Sequence, residues 1–284
     1  MQKISDLIQK SAAKLNIQIN EIQAASIKAS AEQENIALLA PTGSGKTLAF
    51  LFPLLDLLKP DTGQVQAMIL APSRELAMQI EQVFRSLGSG HKVSCCYGGH
   101  PMKIEKNNLI NPPALIIGTP GRIADHLRRE NFSAETLHTL ILDEFDKSME
   151  LGFEEEMNFI VGQLRSLKKR MLSSATNMHK SIPLFEGKIR FFELNYLKED
   201  SGSRLEIKGV KAEGQDKLEA LMRLLGKVGG EATLVFCNHR EAVDRISELL
   251  DLQGMDHDVF HGGLKQEERE KALTKFRNGS FRIL

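Results

Sequence analysis

The sequence predicts an α/β fold: a phosphate-loop domain on a parallel sheet, followed by a second, incomplete α/β unit. Three observations lead there. Short, β-branched apolar runs alternate with longer stretches of helical period along the whole chain. Most of the runs are continuously apolar, as parallel strands buried on both faces are. A glycine-rich loop ending in Gly-Lys-Thr joins the first run to the helix-period stretch that follows it.

The predicted strands are Ile36–Leu39, Ala67–Ala71, Lys92–Tyr97, Ala114–Ile117, Thr139–Leu142, Arg170–Ser173 and Phe191–Leu194. Between them lie helical stretches such as Arg74–Leu87. Residues 198–214, KEDSGSRLEIKGVKAEG, are polar and Gly/Ser-bearing, and read as a linker with a possible short strand at Arg204–Ile207. The second unit, residues 215–284, offers strands at Thr233–Cys237, His257–Phe260 and Phe281–Leu284, with a helix over Arg240–Leu252. Three strands are few for a whole α/β domain, so this unit is expected to be incomplete.

The 284 residues carry 37 basic and 37 acidic side chains, and the balance holds on either side of residue 203. Neither a basic nucleic-acid arm nor an acidic tail is present, so any polyanion must be held by a local site. The longest uncharged run, Asn107–Gly121, contains three Asn and three Pro, and a membrane span needs roughly 20 apolar residues. No apolar core follows Lys3 and Asp6, so no secretion signal is expected. Cys95, Cys96 and Cys237 form no disulfide framework and lack metal-ligand spacing. They read as reduced, buried thiols of a cytoplasmic protein.

In Ala40-Pro41-Thr42-Gly43-Ser44-Gly45-Lys46-Thr47, the glycines allow a loop tight enough to aim several backbone N–H groups at one phosphate. The helix N-terminus adds partial positive charge. Lys46 can reach the β and γ phosphates, and the Thr47 hydroxyl can ligate Mg²⁺. Strand, loop and helix coincide, which marks a nucleoside triphosphate site. The run Thr139–Leu142 ends in Asp143-Glu144-Phe145-Asp146, at the strand end where open α/β sheets bind ligands. Asp143 can hold Mg²⁺ through its water shell, and Glu144 can act as general base toward a water. The alternative for the pair is an acidic turn opening a helix. Ser174-Ala175-Thr176 closes another strand, and its hydroxyls could bond the acidic pair.

In this company the residues resemble the DEAD-box family of ATP-dependent RNA helicases. Ala40–Thr47 is similar to motif I, and Pro72-Ser73-Arg74-Glu75-Leu76-Ala77 to the family's Pro-Thr-Arg-Glu-Leu-Ala. Gly98-Gly99 and Thr119-Pro120-Gly121-Arg122 resemble its next two nucleic-acid motifs. Asp143–Asp146 stands at Asp-Glu-Ala-Asp, and Ser174–Thr176 at the Ser-Ala-Thr that couples ATP state to RNA. Leu234–Asn238 resembles motif IV, and His261-Gly262 with Gln266 and Arg269 the RNA-contacting element after it. The resemblance implies a RecA-like domain (residues 1–197), a linker (198–214) and a partial second RecA-like domain (215–284). It implies ATP and Mg²⁺ as cofactors, hydrolysis through Lys46, Asp143 and Glu144, and RNA held largely by its phosphates, with no membrane role. Thr119–Arg122 would offer free N–H groups and a guanidinium to a phosphate. Gly98-Gly99 would let backbone approach closely. Arg74 either joins them or holds an acidic partner within the domain.

The chain also departs from the family. Phe145 replaces Ala, Ser73 replaces Thr, and Ile19-Asn20 replaces a Pro-Thr ahead of Gln23. Gln23 stands where the adenine-reading glutamine would be; its alternative is an exposed helix glutamine. Motifs V and VI, which carry the family's arginine fingers, have no counterpart here, so slow hydrolysis is expected. The competing readings are a nucleotide-binding RNA clamp without productive turnover and a DNA-dependent motor of the same superfamily.

Overall fold

The computed structural model describes residues 5–60, 62–99, 101–177, 189–197, 206–212 and 217–284. The chain divides into two compact units, residues 1–200 and 201–284.

In the first unit, helices α1 (Asp6–Lys14) and α2 (Glu21–Glu32) precede β1 (Asn35–Leu39) and α3 (Lys46–Leu57). There follow β2 (Ala67–Leu70), α4 (Arg74–Leu87), β3 (Val93–Cys96), α5 (Met102–Leu109), β4 (Leu115–Gly118) and α6 (Pro120–Arg128). The unit continues through β5 (Thr139–Leu142), α7 (Phe145–Glu150), α8 (Glu154–Gln163), β6 (Lys169–Ser174) and β7 (Phe192–Asn195). The seven strands form one sheet in the order β3-β4-β2-β5-β6-β1-β7, and all six pairings are parallel. The seven predicted strands are therefore present, each within a residue or two of its expected bounds.

Burial on both faces explains the continuous apolar runs. Ile36, Ile69, Ile117, Ile141 and Met171 point into one core with Ile8, Phe50, Phe52 and Phe84. Their neighbours Met68, Leu70, Ile116, Leu140, Leu142 and Leu172 point into the other, with Ile123, Met157 and Ile160. Strand alternation sends successive apolar residues to opposite layers. Phe145 is buried in this second layer, so its bulk serves packing beside the acidic pair. Because the strands run in one direction, the loops after β1 to β6 all emerge at one edge of the sheet, and every first-unit motif lies there.

Local chemistry sets the helix starts. Ser73 accepts from the Leu76 N–H at 3.2 Å at the head of α4, and Pro120 occupies the first turn of α6. Asn20 and Gln23 form a reciprocal capping box on α2.

The second unit contains α9 (Lys217–Val228), α10 (Arg240–Leu252) and α11 (Gln266–Arg277). Here the structure corrects the expectation of three strands. Thr233 and His257 each make a single parallel bridge to Ile283. The expected runs do meet in parallel: the Thr233 N–H donates to the Arg282 carbonyl at 2.7 Å, the Leu284 N–H to that of Thr233 at 3.1 Å and the Val235 N–H to that of Leu284 at 2.9 Å. The Asp258 N–H donates to the Ile283 carbonyl at 3.1 Å, but the pairing stays at the length of bridges. Leu234 and Phe236 are exposed, Phe236 by 90%. Residues 206–212 have no regular structure, and most of the expected linker strand at Arg204–Ile207 lies outside the described residues. Of the cysteines, Cys96 is buried, while Cys95 and Cys237 are partly exposed; all three are free thiols.

Gly118 ends β4 where the chain must pass close to β3. A Cβ there would stand 2.4 Å from the Cys96 carbonyl oxygen and 2.7 Å from Ile123 Cδ1. Gly118→Ala is therefore expected to destabilise the chain by about 2–3 kcal/mol through overpacking. A lower denaturant midpoint would register it, and an unchanged midpoint would contradict the packing described.

Candidate functional site

The loop after β1 turns through Gly43 (φ +77°) and Gly45 (φ +90°), which only glycine adopts without strain. The Ala40 N–H donates to the Ser174 carbonyl at 3.1 Å, so the loop leaves the sheet still tied to β6. The Lys46 ammonium, nearly buried, donates to the carbonyls of Ala40 at 2.6 Å and Pro41 at 2.9 Å. Burial pulls its pKa down, while Asp143, Glu144 and Asp146 act in the opposite direction. Thr47 follows in the first turn of α3, and Thr42 is exposed at the loop tip.

Gln23 is buried, which excludes the exposed-helix alternative. Its Oε1 accepts from the Asn20 N–H at 3.1 Å and its Nε2 donates to the Gly45 carbonyl at 3.5 Å. Asn20 Nδ2 donates to the Ser44 carbonyl at 3.0 Å. Two amide side chains from the head of α2 thus brace the phosphate loop from outside. Ser44 Oγ is buried without a hydrogen-bond partner among the described residues.

Across the sheet edge, Asp143 is 3% exposed at the end of β5. Burial pushes its carboxyl up to about 6, with Glu144 adding to the rise; the Ser173 hydroxyl and Lys46 pull the other way. Ser173 Oγ donates to Asp143 Oδ1 and accepts from the Glu144 N–H at 3.2 Å. Glu144 itself is left-handed, φ +45°, and starts α7. Thr176 Oγ1 donates to Asp146 Oδ2 at 2.7 Å, and Ser174 Oγ donates to the Thr176 carbonyl at 2.8 Å. The hydroxyls of Ser174 and Thr176 therefore do not bond the acidic pair as expected: Ser173 does, Thr176 bonds Asp146 instead, and Ser174 shapes the turn. Ser173 and Asp146 were missed as linking groups. Ser173's position at the end of the strand before Ser174 was the available signal.

The loops after β2, β3 and β4 bring Pro72, Ser73, Arg74, Gly98, Gly99, Thr119, Pro120, Gly121 and Arg122 to the same edge. The Arg74 guanidinium lies against Gly98, where a Cβ would come within 3.1 Å of Nη2. The Thr119 N–H donates to the Cys96 carbonyl at 3.1 Å. Glu105, on α5, is a buried hub that sequence reading missed. Its Oε2 accepts from Arg122 Nε at 2.6 Å and lies 2.6 Å from His126 Nε2; its Oε1 accepts from the Tyr97 N–H at 3.1 Å. Asn131 Nδ2 lies 3.0 Å from His126 Nδ1, which makes Nδ1 the acceptor and puts the ring proton on Nε2, facing Glu105. Burial raises the Glu105 carboxyl, but hydrogen bonds from His126, Arg122 and Tyr97 outweigh it and hold it below its ordinary value. Cys96, Glu105 and His126 are close enough to share a metal ion. However, Arg122 already supplies the cation, and burial first, then Glu105, drive the Cys96 thiol far up.

In the second unit, Gln266 and Arg269 face one another on the first turn of α11. Arg269 Nη2 donates to Gln266 Oε1, and the guanidinium stands 5.7 Å over the Phe260 ring.

Comparisons with known proteins identify the family and the fold. Residues 20–182 match the family model of the DEAD/DEAH box helicases, and residues 216–284 that of the helicase conserved C-terminal domain. The DEAD-box ATP-dependent RNA helicase CshA of Geobacillus kaustophilus is 32% identical over 267 residues, which cover 93% of this chain and 57% of that protein. The ATP-dependent RNA helicase DbpA of Escherichia coli is 30% identical over 268 residues, covering 93% and 58%. The chain thus spans little more than half the length of these relatives. A crystal structure of a DEAD box protein from the hyperthermophile Methanococcus jannaschii aligns with TM-score 0.63 at 30% identity, covering 100% of this chain and 78% of that one. Dbp5 of S. cerevisiae bound to RNA and ADP BeF3 aligns with TM-score 0.80 at 23% identity, over 99% and 73%, a likeness of fold. The fold is RecA-like. Among the described residues, no helix is long and apolar enough to cross a membrane.

Two outcomes follow from the buried carboxylates. The native state depresses Glu105, so its contribution is complete above the unfolded value of roughly 4.3 and is lost as pH falls through the lower folded value. Glu105→Ala should cost about 3 kcal/mol at pH 7 by stranding Arg122, and Glu105→Gln should show a flatter loss of stability in acid; equal acid profiles would contradict the hub. Asp143 is shifted the other way, to about 6, so its ionised form destabilises the native state above that pH and the effect vanishes near pH 4. Without divalent metal, Asp143→Asn should therefore be more stable than the parent by roughly 2–3 kcal/mol at pH 7, and no more stable near pH 4.

Proposed function

Because this chain belongs to the DEAD/DEAH box helicase family, we propose that it works as an ATP-dependent RNA helicase. In this reading residues 1–197 bind and hydrolyse ATP, 198–214 link the domains, and 215–284 belong to the C-terminal helicase domain. ATP binding and hydrolysis would be coupled to local unwinding of an RNA duplex. One observation carries the reading: the glycine loop that bears Lys46 and the Asp143–Asp146 turn are both tied to the end of β6, the first by the Ala40 N–H on the Ser174 carbonyl at 3.1 Å and the second by the Ser173 hydroxyl on Asp143. A cation donor facing a buried carboxylate across a glycine loop is the chemistry a nucleotide with its metal requires.

The residues fit Mg²⁺. Asp143 is a buried carboxylate raised by desolvation, and Ser44 Oγ and Asp146 Oδ1 are buried without hydrogen-bond partners among the described residues. Thr47 and Asp143 would hold the ion, partly through water. When bound, Mg²⁺ neutralises charge on the β and γ phosphates. Residues 42–45 would cradle the phosphates with backbone N–H groups, since Pro41 has none and that of Ala40 is held by Ser174, and Lys46 exchanges its two carbonyl bonds for phosphate oxygens. Glu144 orients the attacking water and accepts its proton. Gln23 braces the loop and reads adenine only if its amide leaves the capping box. The Thr176–Asp146 bond, with Ser174 behind it, couples this chemistry to the rest of the sheet edge.

In the first unit RNA would lie along the loops at Pro72–Arg74, Gly98-Gly99 and Thr119–Arg122. In the second unit, taken by itself, Arg269 would meet a phosphate while Gln266, which is buried and bonded to Glu270 and Arg269, would hold that arginine in place. Contacts to phosphates carry no base information, so binding should be largely independent of sequence. Preference over DNA would come from the 2′-hydroxyl.

Lys46→Ala should weaken binding of ATP with Mg²⁺ at least tenfold while circular dichroism stays that of the parent. Arg122→Ala should weaken single-stranded RNA binding about tenfold at low salt and leave nucleotide affinity without RNA unchanged. Equal ATP affinity in Lys46→Ala, or DNA bound as well as RNA by the parent, would sink the proposal. Binding of both ligands without RNA-stimulated turnover would favour the clamp over the motor.

A further inference from the structure

Ser173 stands outside every motif named above, yet its hydroxyl occupies the junction between the two acids. β6 pairs with β5 up to Leu142↔Leu172, and Ser173 is the first residue past that ladder. At that point β5 has ended, Asp143 is buried, and the chain turns into the left-handed Glu144. A hydroxyl is both donor and acceptor. Here the donor side goes to Asp143 Oδ1 and the acceptor side takes the Glu144 N–H at 3.2 Å. One atom therefore fixes the plane of the first carboxylate and the backbone that carries the second. An apolar residue in its place would leave Asp143 Oδ1 and the Glu144 N–H without this partner in a region closed to solvent.

We propose that Ser173 is a positioning residue for the metal: by holding Oδ1 it leaves the other oxygen of Asp143 to the metal's water shell, and by holding the Glu144 N–H it keeps the general base in register with that shell. The inference rests on the nucleotide-Mg²⁺ reading and deepens it. β6 lies between β1 and β5, so the group that aligns the metal's carboxylate sits on the same strand whose Ser174 carbonyl takes the Ala40 N–H of the phosphate loop. The two halves of the site are indexed to one strand end.

The test measures binding of a fluorescent ATP analogue to the 284-residue chain, in EDTA and across a Mg²⁺ titration, for the parent, Ser173→Ala and Ser173→Thr. In EDTA the three should bind within about twofold of each other, because the loop contacts are untouched. Mg²⁺ should tighten binding to the parent and to Ser173→Thr, whereas Ser173→Ala should lose at least fivefold of that enhancement. A merely structural role would lower the affinity of Ser173→Ala equally in both conditions, together with its thermal midpoint, and that result would overturn the inference. The same Mg²⁺ enhancement in Ser173→Ala and parent would overturn it too, while leaving the nucleotide reading intact. Failure of the parent to bind the analogue under either condition would overturn the nucleotide reading and the inference with it.

Discussion

The parallel register of β5, β6 and β1 is the constraint on which the candidate site depends. β6 is hydrogen-bonded to both neighbours, from Lys169 to Leu172 on one side and from Arg170 to Ser174 on the other. The phosphate loop and the acidic turn therefore emerge two strand spacings apart, about 10 Å. That interval can accommodate a triphosphate and its metal. No side chain in either loop could hold that interval alone, because both loops are short and one of them turns on glycines. The sheet holds it, and the sheet is held by apolar layers on both faces.

Two buried carboxylates show how the same group is used in opposite ways. Glu105 collects a guanidinium, an imidazole N–H and a backbone N–H, and these offset its desolvation completely. It is a finished interaction, and its effect is to fix Arg122 and the Tyr97 turn relative to one another. Asp143 has one hydroxyl, a lysine engaged by loop carbonyls, and a like charge beside it, so desolvation dominates. A carboxylate left in that condition destabilises the fold at neutral pH. That fits a group whose partner is a ligand, since a protein cation placed there would stabilise the chain and displace the metal.

Much of the first unit was legible in the sequence for a simple physical reason. A strand buried on both faces must be apolar at every position, and a phosphate loop must have glycine where φ is positive. Both requirements act on neighbouring residues. Ser173 and Glu105 escaped notice because their partners are set by strand register and by the seating of α5 against β3. Ser173 lies 30 residues from Asp143, and Glu105 lies 17 from Arg122. No local pattern could announce either pair. Gln23 was located by its motif but its burial was not foreseen, since the capping box with Asn20 is local and the bond to Gly45 is not. In the second unit the apolar runs announced the right partners, Thr233 and His257 beside Ile283, but the pairing extends over too few residues to build strands.

On the proposed reading, a net charge of zero limits how this chain would hold RNA. Affinity for a polyanion by counterion release grows with the number of phosphates neutralised. Here one candidate cation, Arg122, already has an internal counter-ion. Its Nε bond to Glu105 uses one of five donors and fixes the plane of the guanidinium fork. The ordering of that side chain is thus complete before RNA arrives, at the expense of some attraction. The expected row of free N–H groups is reduced here: those of Thr119, Arg122 and Ile123 are donated to carbonyls and Pro120 has none, which leaves the start of α6 to act through the Gly121 N–H and the helix dipole. A surface built this way recognises the spacing of phosphates more than their charge. On the proposed reading it would bind each phosphate weakly and release when the spacing changes.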